Sequence, residues 1–338
     1  MDTTTLVCSN PDCDVAVTKR CVEGLELTVC PHFGRPRETT VVDNTDEATP
    51  APPTTATTIS LPPAGTLTIA QATAIRCARQ SRVIAIVGSK ASGKTSLIAG
   101  IYDLFQDGPI DSTLFARSRT FHAFEQACHD ARAASRRGIP HTARTARGEV
   151  RFYHLDVTGR PLGDPLALLF GDRAGEEYTN IIDDHSSVCF PETRYADSIA
   201  LLIDGDRLQD TGARHNLISE TGLVLRALIE GEMIATGQHL ALVLTKLDSV
   251  EGSPNRERAH RDFEHLAKAI NEQFASYFAS ISTFAIAASP QTAQIARGTG
   301  VTELFTSWLK AQIFPATTVP IAPTTDRVIA RLQPISHP

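Results

Sequence analysis

Val83–Thr95 reads VIAIVGSKASGKT, and this stretch decides the fold. VIAIV is a short, continuous apolar run, the pattern of a strand buried on both faces of a parallel sheet. The residues after it, Gly88, Ser89, Lys90, Ala91, Ser92, Gly93, Lys94 and Thr95, match G-x-x-x-x-G-K-[ST] at every position. Ser96 then opens SLIAGIYDLF, which carries the apolar spacing of a helix. Strand, glycine-rich turn and helix start form the context in which this motif holds phosphate. The glycines let successive backbone N–H groups turn inward, and the helix start adds its positive dipole end. Gly88 to Ser96 are therefore the expected phosphate cradle. Lys94 is expected to reach the β- and γ-phosphates, and the Thr95 hydroxyl to ligate Mg²⁺.

Outward from this stretch, apolar strand runs alternate with amphipathic helical runs from about residue 67 to 314. Glu149–Val157 alternates like a half-buried strand, and TGRPLGD turns the chain into PLALLF, which can pair with it as a hairpin. IALLI (199–203), LALVL (240–244) and TFAIA (283–287) are further strands. Helices are expected at 121–137, 213–235, 256–278 and 301–312, the last with Leu304, Phe305, Trp308 and Leu309 on one core stripe. This order predicts an α/β fold: a three-layer P-loop NTPase domain whose mostly parallel sheet is covered on both faces.

Three more strand ends carry chemistry. Asp172-Arg173-Ala174-Gly175-Glu176 follows PLALLF; a carboxylate there can hold Mg²⁺ through water, and a glycine can offer its N–H to the γ-phosphate. Thr245-Lys246-Leu247-Asp248 closes LALVL. A carboxylate there can accept both N1–H and N2–H₂ of guanine, a donor pair adenine lacks. Ala287-Ala288-Ser289 ends the last strand, where the Ala288–Ser289 backbone could meet the guanine O6. Each motif is common alone; their order and strand-end placement make the set specific.

The sequence resembles the TRAFAC-clade P-loop GTPases over about residues 82–312, with GSKASGKT as phosphate loop, DRAG as the D-x-x-G switch, TKLD as base reader and AAS as final loop. The Cys-rich start, DRAGEEY and ARSRTFHAFEQACHDAR are similar to the double-GTPase group of bacterial conflict systems. The resemblance implies GTP/GDP and Mg²⁺ as ligands, a protein partner from the same system, and a role in bacterial defence.

Two departures from the family pattern stand out. Glu176 occupies the position where small signalling GTPases place glutamine, so it is either a catalytic base or a brake on turnover. Lys94 and Asp172 are also unusually far apart, and the intervening segment is basic, with eight Arg against three acidic residues over 115–151. Arg117 or Arg119 is the candidate arginine finger in cis, and Thr120, or else Thr113, the switch threonine for Mg²⁺. The alternative is a solvated helix face. The function expected is a regulatory GTPase with slow hydrolysis, ordering residues 110–148 and 173–195 around the γ-phosphate. The alternatives are a non-hydrolysing nucleotide-binding scaffold and an ATPase.

The remaining segments frame this domain. Residues 1–38 hold Cys8, Cys13, Cys21 and Cys30. In a reducing compartment this clustering points to metal before disulfides. Cys8-x₄-Cys13 and Cys30-Pro31-His32 predict a zinc-ribbon-like head with Cys8, Cys13, Cys30 and His32 as ligands and Cys21 as a spare. Residues 39–66 contain nine Thr and five Pro, the composition of a linker. Residues 315–338 form a Pro-rich tail.

With 32 Lys+Arg against 38 Asp+Glu, the 338-residue chain has a net charge of −6, which argues against a uniformly basic nucleic-acid binder. No apolar run is long enough to span a bilayer, and no signal peptide is visible at the start, so a cytoplasmic protein is expected.

Overall fold

The computed structural model describes residues 8, 9, 15, 21, 26–34, 65–131, 148, 150–159, 162–182, 190–291 and 294–310. The linker up to residue 64, the tail, Cys13, and the end of the helix expected over 121–137 lie outside them. The chain divides into two units, Met1–Ile59 and Ser60–Pro338. In the first, Cys8 pairs with Phe33 as an antiparallel bridge, and buried Cys8 and Val15 pack with Leu27 and Phe33.

The second unit is a seven-stranded sheet. Its strands are β1 (Ser81–Gly88), β2 (Thr113–Arg117), β3 (Arg151–Gly159), β4 (Leu166–Asp172), β5 (Ser198–Asp204), β6 (Gln238–Thr245) and β7 (Phe278–Ala285), in the order β2-β3-β4-β1-β5-β6-β7. β4, β1, β5, β6 and β7 are parallel. The β3–β4 hairpin and the β2–β3 pair are antiparallel.

Alternate side chains of β1 enter opposite cores: Val83, Ala85 and Val87 one, Ile84 and Ile86 the other. That two-sided burial is why the strand reads as an unbroken apolar run. One core is closed by α1 (Ile69–Ala78), α7 (Arg214–Glu230) and α9 (Arg256–Phe274). The stripe Ala259, Phe263, Leu266, Ile270 and Phe274 at helical spacing buries α9. The opposite core is closed by α2 (Lys94–Asp107), α3 (Phe121–Ala131) and α10 (Val301–Leu309). Leu304, Phe305, Trp308 and Leu309 of α10 are all buried, as the stripe implied. Short helices α4 (Gly175–Asn180), α5 (Pro191–Arg194), α6 (Gly205–Gln209) and α8 (Leu247–Glu251) follow strand ends or bridge to the next strand. Among the described residues no helix is long and apolar enough to cross a membrane.

Two elements were not legible in the sequence. α1 begins at a Thr68–Gln71 capping box and packs only Ala72 and Ile75 inward, so its apolar signal is thin. β2 is an edge strand with a mostly exposed pattern. Its Thr113 pairs with Gly159, and its Arg117 with Asp156.

Asp156 shows what binds this added edge to the body. Its Oδ2 accepts from Arg79 Nη1 at 2.6 Å and Arg117 Nε at 2.5 Å. Its Oδ1 lies 3.1 Å from His154 Nε2. His154 Nδ1 accepts from the Arg119 N–H, and its Nε2 also lies 3.0 Å from Arg79 Nη2. Burial alone would raise the Asp156 pKa. The His154 and Arg117 hydrogen bonds outweigh it, with Arg79 adding to them, and bring it down to about 2 from 3.8.

A depressed carboxylate contributes stability above its unfolded pKa and loses it as pH falls through the folded value. At 1.36 kcal/mol per unit the contribution is about 2 kcal/mol. Asp156→Asn should lower stability by about that amount at pH 7. It should also flatten the stability loss of the wild type between about pH 4 and pH 2. Denaturant melts across this range check it; parallel acid profiles for the two proteins would refute the assignment.

Candidate nucleotide site

The C-terminal ends of the parallel strands β1, β4, β5, β6 and β7 lie at one end of the sheet, and the loops after β1, β4, β6 and β7 meet there. The first is Gly88–Thr95. Ala91 at φ 60° and Gly93 at φ 93° are left-handed, which curls the loop and makes Gly93 the cap of α2. Lys94 is buried; its ammonium donates to Gly88 O at 3.1 Å and Ser89 O at 3.2 Å. It thus lies inside the loop that the phosphates would enter. Burial lowers its pKa, against the pull of Asp172 and Glu176.

β4 delivers Asp172 beside this loop. Thr95 Oγ1 donates to Asp172 Oδ2 at 3.1 Å. Ligand oxygens at 2.0–2.1 Å from an octahedral Mg²⁺ are about 2.9 Å apart along an edge, so a hydroxyl and carboxylate this close fit such an ion. Gly175 is pressed onto the phosphate loop, since a Cβ there would sit 2.5 Å from Lys90 N and Ser89 C. No other residue allows that approach. Glu176 follows, with Oε1 3.9 Å from Lys90 Nζ.

The remainder of the DRAG turn is a buried clamp. Arg173 Nε donates to Glu192 Oε1 at 2.5 Å and Nη1 to Glu177 Oε2 at 2.6 Å. Its guanidinium lies over the Phe190 ring, and Tyr178 Oη donates to Glu192. Glu177 also accepts from Gly148 N–H at 2.8 Å, so the approach to β3 touches α4.

At the third end, Thr245 Oγ1 donates to Ser92 O at 2.8 Å, tying the Thr245–Asp248 turn to the Gly88–Thr95 loop. Lys246 adopts φ 54°, and its ammonium pairs with Asp204 and Asp206, each at 2.9 Å. Burial alone would lower its pKa, and the two carboxylates hold it raised. Asp248 is buried, with Oδ2 accepting from Gln291 N–H at 2.8 Å. The fourth loop is anchored where Leu247 N–H donates to Ile286 O. Ala288 packs on α2 at Gly100, where a Cβ would lie 3.2 Å from its own.

The structure thus brings together Gly88 through Ser96, Asp172, Gly175, Glu176, Thr245, Lys246, Asp248, Ala288 and Ser289 at one end of the sheet. It places the residues of the basic insert elsewhere. Thr113 pairs with Gly159, at the end of the sheet opposite the phosphate loop, because β3 runs antiparallel with Arg151 beside Asp172. Thr120 is fully buried, and its hydroxyl accepts from His154 N–H at 2.9 Å. His154 is in register with Leu169, three residues below Asp172. Arg117 is engaged by Asp156. Arg119 is exposed beside His154, outside β3 and β4, and adjacent strands are about 4.8 Å apart.

An arginine that does reach the loop escaped sequence reading. Arg207 of α6 donates from Nη1 to Ser89 Oγ at 3.2 Å and from Nη2 to Glu220 at 2.7 Å. IDGDRL gives no local signal of this.

In the N-terminal unit, Cys21 Sγ lies 3.9 Å from Cys30 Sγ. Sulfurs at about 2.3 Å from a tetrahedral zinc are about 3.8 Å apart, so this pair fits one edge of such a site. His32 Nδ1 lies 3.3 Å from Ser9 Oγ. Cys21, taken from the sequence as the spare, is therefore the thiol beside Cys30. Among the described residues no group of three or more His, Cys, Asp or Glu is arranged for a metal, and Cys13 falls outside them.

The family described as Double-GTPase 2 (DO-GTPase2) matches residues 82–309. No curated protein matches the chain. Among solved structures, the chain is similar to one from Chaetomium thermophilum titled as the signal recognition particle receptor SRb-GTP/SRX complex. Identity is 14%, the TM-score 0.35, and the match covers 67% of this chain and 95% of that one.

Proposed function

Because the chain belongs to the Double-GTPase 2 family, we propose that it binds GTP with Mg²⁺ at these four loops, hydrolyses it slowly and switches a protein contact by its nucleotide state. The observation that carries this is the convergence of Lys94, Thr95–Asp172, Gly175 and Asp248, with Thr245 bonded to Ser92 O. Gly88–Ser96 cradle the phosphates, Thr95 and Asp172 hold the metal, and Asp248 reads the guanine edge. Bound Mg²⁺ would neutralise charge on the phosphate oxygens.

Slow turnover follows from what surrounds the γ-phosphate end. Glu176 brings a negative charge, Arg117 is committed to Asp156, and Arg119 and Thr120 lie beside His154, below Asp172 in register. Arg207, the arginine that reaches the loop, is held on Ser89 Oγ and Glu220. GTPases without a supplied arginine turn over near 10⁻⁴ s⁻¹, about the rate expected here. The family resemblance places the switch in a bacterial defence or conflict system with a protein partner. Nucleotide competition tests the core of the proposal: excess GDP should displace labelled GTP and excess ATP should not. Equal displacement by ATP would return the site to a general NTPase.

The N-terminal unit is part of this reading, as a zinc-held recruiting head with Cys21 and Cys30 in the ligand set alongside Cys8 and Cys13. Metal analysis of the chain prepared under reducing conditions should give about one zinc per chain. Cys21→Ser should lose it and His32→Ala should keep it. The reverse pattern would restore the histidine as ligand.

A further inference from the structure

The phosphate loop carries a second lysine. Lys90 sits in the middle of the loop, its side chain largely exposed, and its ammonium faces Glu176 at 3.9 Å. Glu176 is attached to Gly175, whose Cα lies against the Lys90 amide itself. The D-x-x-G turn is therefore brought up to the loop at Lys90, where that turn is expected to offer its N–H to a γ-phosphate. Glu176 also acts on the buried Lys94 ammonium, as a charge that favours its protonated form. The carboxylate is thus paired with one loop lysine and acts on the charge of the other.

We propose that Lys90 and Glu176 form a γ-phosphate sensor, an ion pair that GTP breaks and GDP leaves in place. A γ-phosphate beside Gly175 offers Lys90 more negative charge than one carboxylate does, and it repels Glu176. The lysine transfers to the phosphate and the carboxylate swings out. Glu176 lies in the first turn of α4, whose Glu177 and Tyr178 belong to the Arg173–Glu192 clamp, so this movement is felt by the clamp. GDP has no group at that place. The pair thus sets the preference between the two nucleotides, a role separate from holding either. This rests on the GTP reading of the site.

Equilibrium binding of GDP and of a non-hydrolysable GTP analogue to the full chain tests it, and needs no turnover. An ionic contact to a phosphate is worth tenfold to hundredfold in affinity. Lys90→Ala should weaken the analogue by about that factor and GDP by less than about threefold, and Lys90→Arg should recover most of the loss. Glu176→Gln should shift the ratio the opposite way, by tightening the analogue alone. Lys90 is exposed and Glu176→Gln keeps the side chain's shape, and thermal melts of the empty variants check that each folds.

An unchanged analogue-to-GDP ratio in both variants would overturn the sensor while leaving the GTP reading intact. Equal loss of both nucleotides in Lys90→Ala would make Lys90 a general anchor and also overturn it. Wild-type protein that binds neither nucleotide would overturn the GTP reading and the sensor with it.

Discussion

Lys94→Ala is expected to weaken GTP and GDP alike by at least about 100-fold. The ammonium is aimed at both β- and γ-phosphates, and charge-assisted hydrogen bonds are worth about 1.5–3 kcal/mol each. The remaining cations of the site do not replace it. Lys90 meets only a γ-phosphate, Lys246 is paired with Asp204 and Asp206, and Arg207 with Glu220. Without nucleotide, Lys94 donates only to two loop carbonyls, and burial disfavours its charge. Its removal should therefore leave the melting temperature of the empty protein within a few degrees of wild type. Calorimetric titration with parallel thermal melts separates the two effects. Wild-type affinity in a folded variant would contradict the phosphate-loop assignment; loss of the fold would mean that Lys94 is chiefly structural.

The candidate site residues that the structure brings to one sheet end are those whose chemistry is carried by consecutive residues at a strand end. GSKASGKT, DRAG and TKLD each follow a strand that burial on both faces makes nearly all apolar, so position and chemistry are read together; AAS follows the largely exposed edge strand β7. The hairpin of β3 and β4 was visible for the same reason, through an alternating run, a TGRPLGD turn and a continuous run. Legibility failed where position depends on partners distant in sequence. β2 carries few inward residues, and its place at the edge is fixed by Arg117 meeting Asp156 and Thr120 meeting His154. Read locally, those same residues looked like an arginine finger and a switch threonine. Arg207 and Cys21 are the converse case. Nothing beside Arg207 marks it, the cysteine cluster marks Cys21 only as a spare, and only folding brings them to Ser89 and to Cys30.

Asp248→Asn should convert a guanine site into a xanthine site. The carboxylate accepts from guanine N1–H and N2–H₂. With an amide in its place, one of those donors meets an N–H and the other loses its charge assistance. One ionic hydrogen bond lost and one donor left facing a donor amount to about 3–4 kcal/mol, or several hundredfold in affinity. GTP and GDP should weaken together, since they share the base, and the phosphate contacts of Lys94 should be untouched. Xanthine carries a carbonyl where guanine has its amino group, so the amide N–H of the variant finds an acceptor and XTP should gain what GTP loses. Asp248 is buried with Gln291 N–H on Oδ2; asparagine keeps an acceptor for that bond, so the loop should hold its place. The measurement is a competition series of GTP, XTP and ATP against both proteins. A variant that loses GTP without gaining XTP would mean that Asp248 fixes the 286–291 loop, and that the base is read by another group.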